Sequence, residues 1–323
     1  MTLRIPHRYH REMPYRRPIV LMLDVEPDQR RAGETDPWLG TQAAIEAIAA
    51  GRVEAARRTG TPVQLNWFLR LDPQVEKLFG RVDFVPHSLP ALMASMERYP
   101  DHAGIHTHLC RQNPAGRWYS EFTDVAWLEH CLRGAVDAFT RNFGRPPVAS
   151  RMGDRWLSND AVRLLIDLGL RYECTVEPGL PDMPIFDDPL ATAWLPDYRP
   201  APRHPYRPRA GNFLQAGDQP LWILPLSTTP LRLRPVRRPP YLVRGSYPLN
   251  LSLSPRAMLN HLDTELARVT REPLVLVIRT GDFGVPHWRP ALERNLARIL
   301  AHPGLTHSQF VDVPTAVANW ADA

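Results

Sequence analysis

Apolar strand-like runs alternate with amphipathic helical segments about seven times along the chain, and that rhythm leaves few folds open. "RPIVLMLDVEPD" (17–28) is an apolar run that breaks into carboxylates, as a buried parallel strand does where it leaves its sheet. Further strands are expected at 61–72, 102–109, 147–153, 170–176, 220–227, 273–283 and 306–313. Helices are expected at 41–60, 89–100, 124–144, 158–169, 254–270, 287–304 and 314–322, with Ser158 placed to cap one and Gly60 and Gly144 to stop two. No internal repeat and no linker interrupts the series. The expectation is a single α/β domain over 1–323, its core at about 18–313, built on a parallel sheet that closes as a barrel. A doubly wound open sheet is the alternative. Residues 177–220 and 229–250 are rich in proline and arginine and read as long surface loops.

Charge and cysteine content narrow the function. The net charge of +5 is carried almost wholly by arginine, with Lys77 the only lysine. The basic residues are dispersed except in "RPAPRHPYRPRA" (199–210) and "LRLRPVRRPP" (231–240), which read as solvated loops or as a rim attracting an anionic ligand. No nucleic-acid partner is inferred. No run approaches the roughly 20 apolar residues of a membrane span. The basic N-terminus lacks an apolar stretch behind it, and Cys110, Cys131 and Cys174 are too few for a disulfide framework; both point to the cytoplasm. Oligomeric state is not legible.

Polar residues cluster where strands end, the place where barrel chemistry collects. Asp24, Glu26 and Asp28 alternate along the first strand and so project to one face, where three carboxylates repel one another unless a cation offsets them. "AGIHTHLC" (103–110) offers His106 and His108 from one face of another strand. A carboxylate with two imidazoles and open positions for water suits zinc or a similar divalent ion. Other strand ends carry Asp72, Arg151 with Asp154, Glu173, and Arg279 with Asp282.

These residues, in this order, resemble the polysaccharide deacetylase family, the NodB-homology carbohydrate esterases, from about Pro18 to Val313. "VLMLDVEPD" resembles the family's first motif and "AGIHTHLC" its histidine motif. "ASRMGDRWLSNDAVRLLIDLGLRYECTVEPG" (149–179) resembles the arginine motif and the strand that opens its groove. "LWILPLSTTP" (221–230) resembles the strand ending in Pro-Xaa-Ser/Thr. The resemblance implies a distorted (β/α)7 barrel and metal-dependent removal of an N-acetyl group from an amino sugar in a glycan or glycoconjugate. It makes Asp24 the general base, Arg151 the residue that holds it ionised, and Glu26 and His106 ligands of a divalent metal, zinc first among them. Asp154, Trp156 and Arg279 fall to substrate binding, and Trp118 and Tyr119 also suit a sugar ring.

Two departures stand out. The family's histidines are usually four apart, and the fourth position here is Cys110. Either Cys110 or His108 supplies the further ligand; His108 is preferred, because a lone cysteine is usually a small buried apolar residue. Arg279 stands where the family ends a late strand with its acid histidine, which leaves His287 as the candidate acid. The alternative is a catalytically impaired sugar-binding protein of the same pathway. A metal-free barrel binding an anionic ligand through its arginines is a third reading.

Overall fold

The computed structural model describes residues 16–28, 38–99, 101–185, 188–230, 246–249, 255–268 and 270–322. The basic run 231–240 lies outside the described residues. Eight parallel strands form the central sheet: β1 (Arg17–Val25), β2 (Asn66–Arg70), β3 (His102–Thr107), β4 (Ala149–Met152), β5 (Tyr172–Glu173), β6 (Trp222–Ile223), β7 (Leu274–Arg279) and β8 (Ser308–Phe310). Their order is β6-β5-β4-β3-β2-β1-β7, with β8 alongside the first half of β1. The sheet curls until its end strands face each other across a seam. There the Ser227 N–H donates to Val275 O and the Val277 N–H donates to Leu249 O. The result is a distorted α/β barrel, as the alternating pattern and the resemblance lead one to expect.

Helices pack outside: α1 (Leu39–Thr59), α2 (Pro73–Phe79), α3 (Pro90–Arg98), α4 (Val125–Phe143), α5 (Asn159–Asp167), α6 (Pro255–Leu266), α7 (Arg289–Leu300) and α8 (Val313–Ala321). Several boundaries are set by side chains the sequence displays. Ser158 Oγ accepts the Ala161 N–H at the start of α5, and Gly60 and Gly144 end α1 and α4 with φ of 68° and 66°. No helix among the described residues is long and apolar enough to cross a membrane.

Strand alternation creates two cores. Ile19, Leu21, Leu23, Trp67, Leu69 and Ile105 face the helices. Val20, Met22, Phe68, Cys174, Leu224, Val275 and Val277 fill the barrel lumen. The Phe68 ring occupies the lumen because β3 carries Gly104 opposite it; a Cβ there would stand 2.7 Å from Ala149 O and 2.8 Å from the ring. Above this apolar plug the same lumen-facing positions turn polar. Arg70, His106 and Arg151 are register neighbours across β2, β3 and β4, and Asp24 is level with Arg279 across β1 and β7.

Several expected elements are altered. Strands at 170–176 and 220–227 shrink to two residues each, β5 and β6, beside the seam. Among the described residues, three antiparallel strand pairs appear where loop was expected, the last joining Thr228–Pro230 to Ser246–Pro248. The first pairs Cys110–Gln112 with Trp118–Ser120, and the second pairs Pro208–Arg209 with Asn212–Ala216. Asp72 does not end a strand at the lumen. It caps α2, accepting the N–H groups of Gln74 and Val75.

Candidate metal and acid–base site

The mouth of the lumen gathers most of the strand-end residues. Glu26 Oε1 and the Nε2 atoms of His106 and His108 form a triangle with edges of 3.1, 3.1 and 3.5 Å. Ligands at about 2.0–2.1 Å from a tetrahedral zinc are separated by roughly 3.3 Å, so the triangle has the size of one face of such a site. His106 Nδ1 donates to the Arg151 carbonyl at 2.8 Å, which places its lone pair on Nε2, inside the triangle. Glu26 is fixed from behind, its N–H donating to Thr280 Oγ1 at 3.1 Å. The His108 N–H donates to Asp72 Oδ2 at 3.2 Å, so the cap of α2 also anchors the segment that carries His108.

Asp24 sits beside the triangle, its Oδ1 3.9 Å from His106 Nδ1. Arg151 Nε donates to both Asp24 oxygens, at 2.9 and 3.0 Å, while Nη1 donates to Cys174 O. Arg279 donates from Nε and Nη2 to the two oxygens of Glu26, at 3.1 and 2.8 Å, and from Nη1 to Asp282. Arg70 is wholly buried; it pairs with Asp72 and places Nη1 3.9 Å from Glu26 Oε2. Sequence reasoning passed over Arg70, although a lone arginine in an apolar strand run was the available signal.

Electrostatics set the protonation states. Burial pushes Glu26 up, but Arg279 and His108 outweigh it and hold the carboxyl well below the usual range. For His108, burial and Arg70 pull down, while Asp154 and Glu26 prevail and leave it pushed up to about 10. Three guanidiniums (Arg70, Arg151, Arg279) face five carboxylates (Asp24, Glu26, Asp72, Asp154, Asp282), a shortfall of two positive charges. The field that favours a proton on His108 also favours a divalent cation.

Of the other expected residues, Asp28, Trp156 and His287 lie elsewhere, whereas Asp154 joins the cluster. Asp28 does not join Asp24 and Glu26: its Oδ1 accepts the Gly40 N–H at the start of α1. Trp156 is buried in the outer core with its ring stacked on Phe122 at 4.6 Å, so it packs the rim and offers no open face to a sugar. His287 is exposed with its ring against Trp288, and none of its contacts ties it to the cluster. Asp154 stands 3.4 Å from His108 Nδ1 and accepts the Ser120 hydroxyl at 2.9 Å. Asp154 and Arg155 both adopt left-handed backbone, with φ of 52° and 63°, the kind of strain that collects at functional sites.

Gly153 matters for space. A Cβ at this position would run into Cγ and Cδ2 of His108. Gly153→Ala is expected to cost about 1–3 kcal/mol by overpacking and to weaken cation binding by turning the ring. Paired urea titrations and metal-competition assays measure the two effects.

No family model matches this sequence, and no curated protein matches it. Solved structures do. One from Mycobacterium smegmatis, provisionally described as a polysaccharide deacetylase, is 17% identical with a TM-score of 0.51, over 96% of this chain and 92% of that one. Another from Parabacteroides distasonis, provisionally described as a glycoside hydrolase/deacetylase, is 12% identical with a TM-score of 0.55, over 96% of this chain and 73% of that one. This chain has the polysaccharide deacetylase fold. At these identities the likeness extends to the fold, and the chemistry has to be argued from the residues. Among the described residues the deacetylase-type barrel mouth holds the Glu26–His106–His108 group and a second one, His108–Cys110–Asp154.

Proposed function

We propose that the chain is a metal-dependent hydrolase that removes the N-acetyl group of an amino sugar in a glycan or glycoconjugate. The observation that carries this reading is the buried triangle of one carboxylate oxygen and two imidazole nitrogens beside an arginine-held aspartate. Glu26, His106 and His108 would hold the ion, zinc first among divalent candidates. A divalent ion supplies Lewis acidity, activating water near neutral pH and polarising an acyl oxygen. Asp24 takes the proton of the attacking water, its carboxylate aimed by the two contacts from Arg151 Nε. With Arg279 where a proton donor would otherwise stand, Asp24 is the group left to return that proton to the departing amine. Arg279, with its side chain 35% exposed, is the residue of the cluster open to the mouth and suited to a developing oxyanion.

One observation favours a second reading, a sugar-binding protein with little turnover. Arg279 Nε bonds the same Glu26 oxygen that belongs to the triangle. In that reading the guanidinium stands in for the ion. Acetate release from N-acetylhexosamine oligomers separates the two. After chelation and zinc replenishment the wild type is expected to release acetate only with the metal present. His106→Ala is expected to release none while keeping its circular dichroism. Fully metallated wild type that releases no acetate from any such oligomer would leave the sugar-binding reading standing.

A further inference from the structure

We infer that His108, Cys110 and Asp154 form a second cation site, on the far side of the His108 ring from the triangle. An imidazole nitrogen, a thiol sulfur and a carboxylate oxygen from these residues lie within 4.8 Å of one another. His108 is 1% exposed, and its Nδ1 has no hydrogen-bond partner. That nitrogen faces Asp154 Oδ2 at 3.4 Å, an ion-pair contact without hydrogen-bond alignment. A buried ring nitrogen beside a thiol and a carboxylate, with no aligned hydrogen bond of its own, is a donor set of the kind that holds a divalent ion.

The surroundings hold the three donors in place. Cys110 opens the hairpin that follows His108 and pairs directly with Ser120, whose hydroxyl donates to Asp154 Oδ2. Arg70 Nη2 donates toward the sulfur at 4.0 Å and fixes its direction. Gly153 leaves the ring face clear. Nitrogen, sulfur and oxygen donors select a borderline ion such as zinc or cobalt over magnesium or calcium. With an ion in each site, His108 would offer Nε2 to one and Nδ1 to the other, and the ring protons and the Cys110 thiol proton would pass to solvent as the ions enter.

This site shares His108 with the proposed hydrolytic centre but does not depend on the deacetylase reading. The test is cobalt titration of the full-length protein, followed by metal analysis and near-ultraviolet absorption. Wild type is expected to bind about two ions per chain and to show a thiolate-to-cobalt charge-transfer band. Cys110→Ser is expected to bind about one ion and lose the band. His106→Ala is expected to lose one ion and keep the band, because the second site does not use His106. Asp154→Asn, which keeps the thiol, is expected to lower the occupancy of the second site and so weaken the band. One ion per wild-type chain with no band would overturn the second site and leave the triangle intact. A band that disappears in His106→Ala would also overturn it, since Cys110 would then serve a single ion.

Discussion

Arg151→Met should lower the unfolding free energy by about 3–5 kcal/mol, the cost of leaving a buried carboxylate without its partner. Asp24 is 2% exposed, and Arg151 supplies its paired hydrogen bonds from deep within the lumen. The large cost comes from the stranded charge and not from the net strength of the pair, so removing that charge should recover most of it. The double variant Arg151→Met/Asp24→Asn is therefore expected to lie much closer to wild type than Arg151→Met alone. Urea unfolding of wild type, both single variants and the double variant at neutral pH gives the cycle. The coupling is absent if Arg151→Met costs nothing or if Asp24→Asn gives no rescue. Asp24→Asn alone carries the functional half of the prediction. It should cut acetate release by about 10²–10⁴-fold, the usual worth of a positioned base. Cation binding should survive, because Asp24 stands outside the triangle.

The barrel was legible because a parallel strand covered on both sides has to be apolar along its length and polar only at its exit. "VLMLDVE" shows that switch, and the structure turns polar at the same residues, Asp24 and Glu26, above Val20 and Met22. His106 and His108 were legible for the same reason. Period-two spacing carries both to one face at the end of β3, His106 within the strand and His108 one residue past its last, Thr107, and both imidazoles approach Glu26.

What escaped notice depends on contacts far apart in sequence. Asp28 obeys the same spacing as Asp24 and Glu26, but β1 ends at Val25 and the chain turns, so the alternation no longer holds. Arg279 ends its strand at the mouth, as the sequence leads one to expect, but only the register of β1 with β7 shows that it is also bonded to Glu26. Trp156 looked free because local sequence does not reveal Phe122 stacked against it. The hairpin after His108 had no turn dipeptide of the strongest kind to announce it. It is nevertheless the element that brings Cys110 and Ser120 to Asp154.

Glu173 offers a test away from the mouth. By strand alternation it points out of the lumen, opposite to its neighbour Cys174, and it is wholly buried. Burial pushes its carboxyl up to about 7, against the pull of the Thr175 hydroxyl and N–H and of Arg151. An acid whose folded pKa lies above its unfolded value stabilises the fold in its protonated form. That contribution is complete below about pH 4.5 and is lost as pH rises through about 7. The loss amounts to roughly 3 kcal/mol by pH 8, at about 1.4 kcal/mol per unit. Glu173→Gln stays neutral throughout, and its amide can still accept the Thr175 N–H. It is therefore expected to match wild type near pH 4.5 and to exceed it by roughly 3 kcal/mol at pH 8. Taking the difference between the two stability curves cancels the other titrating groups. Parallel curves over that range would mean that Glu173 is ionised in the folded protein at acidic pH, and the account of its burial would fail.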